Sequence, residues 1–311
     1  MCLTCQRMKQ TKVHYFFIWL KALRLRTLFL SLACIWGGLF AVQLTQDLNI
    51  PITIFTLLTA LCLQILSNLA NDYGDSIHGA DHAGRKGPSR AVQSGAISAK
   101  AMKKAMILSA VLSFVSGCCL LAFAFPVIGK IGVLSLLGIG VVAIVAAIAY
   151  TNGKRPYGYM GLGDISVFIF FGITAVAGTQ YLQTASLSKQ TWLLAIAYGC
   201  MATGVLHLNN MRDQISDKEA GKISIAVLLG FLGSKIYYGF LLLAPIACFT
   251  LLFILENYPP IASVPVTFLM TLNLFAAWRV KELTQFDPLL KYLSLSTFSI
   301  SLTLQLFLSL R

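Results

Sequence analysis

Long apolar runs separated by short polar stretches set the pattern of this chain. Nine of these runs are about 20 residues long, the length at which a helix crosses the hydrocarbon core of a bilayer. They cover residues 27–45, 51–70, 104–125, 131–150, 163–183, 190–210, 235–255, 259–279 and 290–310. The runs do not alternate in polarity as barrel strands do, so they predict membrane helices, whose backbone polar groups are satisfied within the segment. A further apolar run at 223–233 is too short to cross and is expected to lie at the interface or inside the bundle.

Composition agrees with this pattern. Hydrophobic residues make up 57% of the 311 residues and charged residues 11%, and the mean hydropathy is +0.78, whereas about 25% of a soluble domain is charged. We therefore expect one all-α polytopic membrane domain over residues 1–311, with a basic cytoplasmic segment at 1–26 and a bundle of nine transmembrane helices at 27–311. No small-residue cleavage site follows the first apolar stretch, so a removable signal peptide is not expected.

Lysine and arginine predict the orientation in the membrane. Of the 24 basic residues, 21 fall in the N-terminal segment or around the loops after the second, fourth, sixth and eighth runs. Lys130, Lys189 and Arg311 fall on the other side. The positive-inside rule then places the N-terminus in the cytoplasm and the C-terminus outside, as in the inner membrane of a bacterium. The same bias accounts for the net charge of +13, so no nucleic-acid partner is expected.

The acidic residues are concentrated in two places. Six of the eleven lie in the stretches NLANDYGDSIHGAD (68–81) and HLNNMRDQISDKEAGK (207–222), which follow the second and sixth runs and are expected to be cytoplasmic loops. Asn68 and Asn71 open the first stretch, and Asn209 and Asn210 open the second. A solvated acidic loop and a proton or cation relay are two interpretations that remain open, since acids at membrane depth commonly mark ion pathways.

Spacing within the two stretches favours metal binding. Asp72 and Asp75 are three residues apart and Asp213 and Asp217 are four apart, so on a helix each pair shares a face and its charges repel. Mg²⁺ removes that repulsion, because it prefers oxygen ligands and is commonly held by one or two carboxylates together with substrate phosphates. Two such clusters facing each other would hold a diphosphate. The predicted metal ligands are Asn68, Asp72, Asp75, Asn209, Asp213 and Asp217.

Basic residues complete the predicted diphosphate site. The candidates are Arg90 in GRKGPSR, Lys154 and Arg155 in YTNGKRPYG, and Lys222 at the end of the second acidic stretch. Arginine forks onto phosphate oxygens, and lysine acts as a point charge. The positive-inside rule explains Arg85 and Lys86 equally well.

With these residues in view, the chain resembles the UbiA superfamily of intramembrane aromatic prenyltransferases over nearly its whole length. The matching stretches are QILSNLANDYGD, GADHAGRKGPSR, GYMGLGD and NNMRDQISDKEAGK. Three of their elements, NLANDYGD, GPSR and GLGD, resemble the branch of the superfamily that acts on 1,4-dihydroxy-2-naphthoate. Many relatives place an acid four residues after the position of Asp75; here Gly79 stands there and the next acid is Asp81, which puts a metal role for Asp81 in doubt.

The resemblance implies a fold and a reaction. Nine helices would surround a central cavity that opens sideways to lipid and is capped from the cytoplasm by the two acidic motifs. The enzyme would be Mg²⁺-dependent and would transfer a polyprenyl group from an allylic polyprenyl diphosphate to 1,4-dihydroxy-2-naphthoate. CO₂ and diphosphate would be lost and demethylmenaquinol formed, a step of menaquinone biosynthesis. Its catalytic acids would be Asp72, Asp75, Asp213 and Asp217.

The residues expected at the aromatic acceptor are less sharply defined. Arg26, with Arg24 and Arg90 as alternatives, would bind the acceptor carboxylate. Asp164 in GLGD would orient a ring hydroxyl, although an acid there also suits the start of a helix. Tyr150, together with Phe171, would present an aromatic face to the allylic cation.

Other functions remain open from the sequence alone. The same scaffold would serve transfer to 4-hydroxybenzoate or homogentisate, or transfer of a phytyl group. A secondary transporter would use the acids for ion coupling, but transporter sites usually lie near the bilayer midplane on broken helices. A CDP-alcohol transferase is expected to carry an Asp-Gly-x-x-Ala-Arg run, and the chain has none.

Overall fold

The computed structural model describes residues 15–78 and 90–309, and the regular elements in these ranges are helices. A short helix over residues 15–22 precedes the bundle, and single turns of 3₁₀ helix join some of the later elements. The main helices are α1 Leu25–Gln43, α2 Ile50–Ile77, α3 Ala99–Ala149, α4 Gly163–Thr184, α5 Lys189–Arg212, α6 Gln214–Glu219, α7 Ile225–Leu255, α8 Val264–Arg279 and α9 Asp287–Ser309. The middle of α4 is wound as a π-helix over Phe168–Ala177.

Side-chain caps explain where several of these helices begin. Asn49 accepts a hydrogen bond from the Ile52 amide at the start of α2, where Pro51 occupies the first turn. Serines cap three further helices in the same way: Ser98 for α3, Ser188 for α5 and Ser224 for α7. Each cap satisfies one of the amides that a helix start leaves without an intrahelical partner.

The helices agree closely with the predicted apolar runs. Among the described residues, seven helices are long and apolar enough to cross a membrane, namely α1 to α5, α7, and α8 together with the turn before it. The last predicted run, 290–310, corresponds to α9. The short run at 223–233 is joined to α7, where Gly230 breaks the regular backbone with a φ of 68°.

Helix α3 contains two of the predicted runs. At 51 residues it would be about 76 Å long if straight, far more than the roughly 30 Å of the hydrocarbon core. Gly129 interrupts it with a φ of 65°, a conformation that glycine adopts without strain. Met102 and Met106 near its start share one apolar cluster with Ile148 at its end, so the helix folds back into two arms. The arms correspond to the runs at 104–125 and 131–150.

The acidic stretches were expected to be loops, and that expectation is wrong for Asp72, Asp75 and Asp217, which lie in helices. Asp72 and Asp75 lie in the last two turns of α2, which continues to Ile77. Asp213 lies between α5 and α6, and Asp217 lies within α6. Helical geometry therefore holds these carboxylates in place, whereas sequence hydropathy ended the segments early because the polar residues lower it.

Helix α5 forms the centre of the bundle and packs on α1, α7 and α9. Tyr198 of α5 is fully buried and forms a hydrogen bond of 2.7 Å with the Ser301 hydroxyl of α9. A Cβ atom added at Gly37 of α1 would lie 2.3 Å from the Tyr198 ring. Close approach of these helices thus depends on the missing side chain at Gly37.

This packing gives a stability prediction. Gly37→Ala is expected to lower the unfolding temperature in detergent, because the new methyl group meets the Tyr198 ring and overpacking costs about 1–3 kcal/mol. The matched control is Gly138→Ala in the second arm of α3, where an added Cβ meets no atom within 4 Å. That variant is expected to be unchanged or slightly more stable, since alanine favours helix. Equal unfolding temperatures for the two variants would contradict the proposed packing.

Candidate active site

One cavity of about 350 Å³ lies between α1, α2, α3, α4 and α5. Its body is lined by apolar side chains such as Leu121, Leu137 and Phe171. Polar side chains gather at one end, which we call the polar mouth. They are Arg24, Arg26, Asn68, Asn71, Asp75, Arg90, Asn209, Asn210 and Lys222. Residues from both acidic stretches therefore line the same cavity.

Asp75 is the acid of the polar mouth and is held by two partners. Arg90 donates a hydrogen bond to its Oδ2, and the Tyr159 hydroxyl donates to its Oδ1 at 2.7 Å. Arg90 also donates to the Asn71 carbonyl oxygen at 3.0 Å. Burial and the adjacent Asp75 carboxylate raise the pKa of Tyr159, so the phenol keeps its proton and acts as a donor.

Tyr159 and Lys222 connect the first acidic stretch to the second. The Lys222 ammonium lies 5.7 Å from the centre of the Tyr159 ring and 3.0 Å from Oδ2 of Asp217. The Ile223 amide donates to the Tyr159 carbonyl oxygen at 3.0 Å. Contacts thus run from Asp75 through Tyr159 and Lys222 to Asp217.

The electrostatics of Asp217 also place the two stretches together. Burial raises the pKa of this carboxyl above its ordinary value, and the nearby Asp213 and Asp75 carboxylates act in the same direction. The Lys222 ammonium opposes them. Carboxylates from both stretches therefore lie within electrostatic range of each other, an arrangement that favours a cation.

Asp213 is paired with an arginine that the sequence analysis did not single out. The Arg212 guanidinium donates to both oxygens of Asp213, at 2.9 and 2.7 Å, and to the Asn209 amide oxygen at 2.8 Å. It also forms an ion pair with Asp287 of α9. Arg212 is fully buried, and a charged side chain so deep requires this set of partners. Its position directly before Asp213 was the one available sequence signal.

Asp72, predicted as a metal ligand and catalytic acid, has a different set of partners from Asp75. It is buried, and its two carboxylate oxygens accept hydrogen bonds from the Ala91 and Val92 amides, each at 3.1 Å. It therefore fixes the start of the segment that carries Arg90. Asp72, Asp213 and Asp217 are not among the described residues that line the cavity, so of the four predicted catalytic acids Asp75 alone is in that lining.

The carboxamide of Asn68 is also committed to other contacts. Its nitrogen donates to the Leu23 carbonyl oxygen at 2.8 Å and to the Thr27 hydroxyl at 2.9 Å, and its oxygen accepts from Gln64 at 3.2 Å. Asn68 also lines the cavity, and its role as a metal ligand stays a prediction. In the described contacts Asn68 holds the segment before α1 against α2.

Lys154 and Arg155 were predicted to bind the diphosphate, but they do not line the cavity. Both are exposed on the turn after α3, and neither is among the described residues that line the cavity. The neighbouring Thr151 explains why this turn is fixed, because its hydroxyl donates to the Ala70 carbonyl oxygen at 2.9 Å. Three residues considered in the sequence analysis, Asp81, Arg85 and Lys86, lie outside the described residues.

The predicted acceptor residues divide between two places. Arg26, Tyr150 and Phe171 line the cavity. Asp164 instead lines a separate cleft with Thr203 and Tyr237, where its Oδ2 lies 3.5 Å from Nδ1 of His207. Asp164 is not among the described residues that line the larger cavity, so the structure does not show its predicted contact with an acceptor there. Nor does its side chain cap the helix that begins at Gly163, as far as the described residues show.

The donor atoms at the polar mouth suit a hard cation. Carboxylate and amide oxygens supply them, and the buried Oδ1 of Asn210 has no hydrogen-bond partner in the described part of the chain. Within residues 15–78 and 90–309, no three His, Cys, Asp or Glu side chains form a preassembled metal group. Mg²⁺ does not require one, since one or two carboxylates with phosphate oxygens and water commonly suffice.

Two bacterial proteins are similar to this chain in sequence. The chain is 45% identical to 1,4-dihydroxy-2-naphthoate octaprenyltransferase of Haemophilus influenzae over 234 residues, 75% of each chain. It is 43% identical over 233 residues to the Escherichia coli protein of the same name, again covering 75% of each chain.

Solved structures share the fold. A UbiA homologue from Aeropyrum pernix aligns with a TM-score of 0.67 at 16% identity, covering 91% of this chain and 97% of the other. A homologue from Archaeoglobus fulgidus bound to DMAPP and Mg²⁺ aligns at 0.61 and 16% identity, covering 91% and 98%. Residues 30–299 match the sequence pattern of the UbiA prenyltransferase family. This chain belongs to the UbiA prenyltransferase family.

Proposed function

We propose that this protein transfers a polyprenyl group from an allylic polyprenyl diphosphate to 1,4-dihydroxy-2-naphthoate, releasing CO₂ and diphosphate and forming demethylmenaquinol. The observation that carries the proposal is the meeting of both acidic stretches at the polar mouth of one apolar cavity. The names of the 45% and 43% identical relatives support this acceptor. The step belongs to menaquinone biosynthesis.

The proposed reaction begins with ionisation of the prenyl donor. The allylic C–O bond breaks, its electron pair leaves with the diphosphate, and a delocalised cation remains on the prenyl chain. Arg90 and Lys222 are placed at the polar mouth to bind the diphosphate oxygens as negative charge develops. The apolar body of the cavity keeps water from the cation, and the rings of Tyr150 and Phe171 face the space that it would occupy.

The acceptor ring then completes the transfer. The ring carbon that carries the carboxylate attacks the allylic cation and forms the new C–C bond. Loss of CO₂ returns the electrons of the ring–carboxylate bond to the ring and restores its aromaticity. Arg26, with Arg24 beside it at the same cavity, is placed to bind the acceptor carboxylate before this step.

Mg²⁺ is the proposed cofactor, as in the Archaeoglobus homologue bound to DMAPP and Mg²⁺. When bound, it neutralises the charge of the leaving diphosphate. Asp72 and Asp75 from α2, and Asp213 and Asp217 with Asn209 from the second stretch, would hold it. Three of these carboxylates form ion pairs with Arg90, Arg212 and Lys222. Binding of Mg²⁺ and diphosphate would replace these ion pairs with contacts to the metal and to the phosphate oxygens.

Lys154 and Arg155 receive an outer role in this proposal. They are exposed beside the turn that leads to Tyr159. Exposed basic residues near the entrance raise the local concentration of a negatively charged substrate through electrostatic steering. Their contribution would weaken with salt, whereas that of the buried Lys222 would not.

The proposed topology is a single domain over residues 1–311 with nine crossings in a bacterial inner membrane. In the described part of the chain, seven helices have the required length and apolarity. The second arm of α3 and helix α9 would supply the other two. The placement of 21 of the 24 basic residues supports a cytoplasmic N-terminus and an external C-terminus. Membrane lipid would contact the outer faces, where large apolar side chains such as Ile131 and Phe240 are exposed.

One alternative is disfavoured by the position of the acids, and another is left to experiment. A transporter would use acids near the midplane on broken helices, whereas here the acids lie at helix ends beside Arg90 and Lys222. Transfer to 4-hydroxybenzoate or homogentisate, or of a phytyl group, would use the same site, and acceptor competition distinguishes these reactions.

The central prediction concerns one acid from each stretch. Purified protein with labelled polyprenyl diphosphate, 1,4-dihydroxy-2-naphthoate and Mg²⁺ is expected to form prenylated product, and chelation is expected to abolish it. Asp75→Asn and Asp217→Asn are each expected to lower kcat by at least about 100-fold, the scale of removing one charge-stabilising group. Wild-type activity in either variant, or product formed equally well with excess chelator, would contradict the proposal.

A second prediction separates Lys222 from the general excess of basic residues. Lys222→Met is expected to lower kcat/KM for the prenyl diphosphate by about 10- to 100-fold, because a buried ammonium at the polar mouth is lost. The control is Lys104→Met, an exposed lysine on α3 that is not among the described cavity residues. It is expected to stay within about twofold of wild type. Equal effects of the two changes would show that overall charge, not position, matters.

A further inference from the structure

Gln64 is a buried polar residue in the cavity to which the proposed chemistry gives no role. It lies one helical turn before Asn68 on α2, is 7% exposed and lines the cavity. Its amide oxygen, Oε1, is buried without a hydrogen-bond partner in the described part of the chain. Buried polar atoms of this kind are uncommon, since most find a partner in the protein or in a ligand.

The orientation of the Gln64 amide follows from its neighbours. The Leu23 carbonyl oxygen can only accept, so the Asn68 group 2.8 Å away must be the amide nitrogen. The oxygen of Asn68 therefore faces Gln64, and Gln64 must present its own nitrogen there, at 3.2 Å. Its Oε1 is left as an acceptor without a partner in the described part of the chain, on a side chain that lines the cavity.

A hydrogen-bond donor would satisfy this oxygen, and the proposed substrates differ in whether they carry one. The prenyl chain carries no N–H or O–H group, and an ionised carboxylate or diphosphate presents acceptors. The acceptor ring carries two phenolic hydroxyls, which are donors. We infer that Gln64 Oε1 accepts a hydrogen bond from one ring hydroxyl of the aromatic acceptor and so selects for it, an inference that rests on the proposed function.

The surroundings of Gln64 support a ring orientation that places one hydroxyl at Gln64. Asn68 links Gln64 to Leu23 and Thr27, and the segment between these two residues carries Arg24 and Arg26. Both arginines line the cavity. A ring with its carboxylate at these arginines would therefore lie along the wall that presents Gln64. One hydrogen-bonded unit thus connects recognition of the carboxylate to recognition of the hydroxyl.

The test uses Gln64→Met, which keeps the length of the side chain and removes its amide. Three ligands are compared: 1,4-dihydroxy-2-naphthoate as substrate, and 1-hydroxy-2-naphthoate and 4-hydroxy-2-naphthoate as competitive inhibitors that each lack one hydroxyl. In the variant, the KM of the diol and the inhibition constant of one of the two analogues are expected to rise by about tenfold, the upper range for one neutral hydrogen bond. It is expected to leave the other analogue within about twofold, because that analogue lacks the hydroxyl that Gln64 binds.

The control variant is Gln43→Met, at the C-terminal end of α1 and away from Arg24 and Arg26 at its start. Its amide oxygen is likewise buried without a partner in the described chain, but Gln43 is not among the described cavity residues. It is expected to leave the KM of the diol and the inhibition constants of both analogues unchanged. A change in Gln64→Met that is equal for all three ligands, or absent for all three, would overturn the inference, because a structural disturbance does not distinguish one hydroxyl from another. Failure of the wild-type protein to prenylate the diol would instead overturn the proposed function, and the inference with it.

Discussion

The polar mouth depends on charge balance in a place of low dielectric. Asp75, Asp213 and Asp217 are all buried, and a buried carboxylate without a partner is strongly destabilising. Each is bonded to a basic side chain of its own: Arg90, Arg212 and Lys222 respectively. Each pair lies within one stretch or beside it, so the link between the two stretches is Tyr159, which donates to Asp75 and lies beside Lys222.

The same pairing explains how the site would accept its substrate. A diphosphate with its metal carries both signs of charge, so the basic side chains would turn to the phosphate oxygens and the carboxylates to the metal. Tyr159 connects the two stretches, since its hydroxyl donates a hydrogen bond to Asp75 and its carbonyl oxygen accepts one from the Ile223 amide. The apolar cavity behind this mouth then gives the prenyl chain a dry environment in which a reactive cation survives.

The sequence predicted most of the helices, because hydropathy and length depend on local residues alone. The runs at 104–125 and 131–150 correspond to the two arms of α3, which meet at the break at Gly129. Hydropathy ended the second run too early, since Asp72 and Asp75 are polar yet continue α2. Local pattern therefore predicted the helices better than their ends.

The site was predictable where residue type and spacing decide the chemistry, and less so where tertiary contacts do. Asp75, Arg90 and Lys222 meet at the polar mouth as expected, although their roles are proposals. The contact between Tyr159 and Asp75 joins residues 84 positions apart and has no local signal. Asn68 and Asp164 match the expected motifs, but their side chains face Leu23 and His207, which spacing alone could not indicate.

The most direct measurement is anomalous diffraction from crystals grown with Mn²⁺, in place of Mg²⁺, and a non-hydrolysable prenyl thiolodiphosphate. We expect manganese and the diphosphate at the polar mouth, with carboxylates from α2 and from the second stretch both in contact with metal. Metal and diphosphate bound by one stretch alone, or outside the cavity, would contradict the shared site.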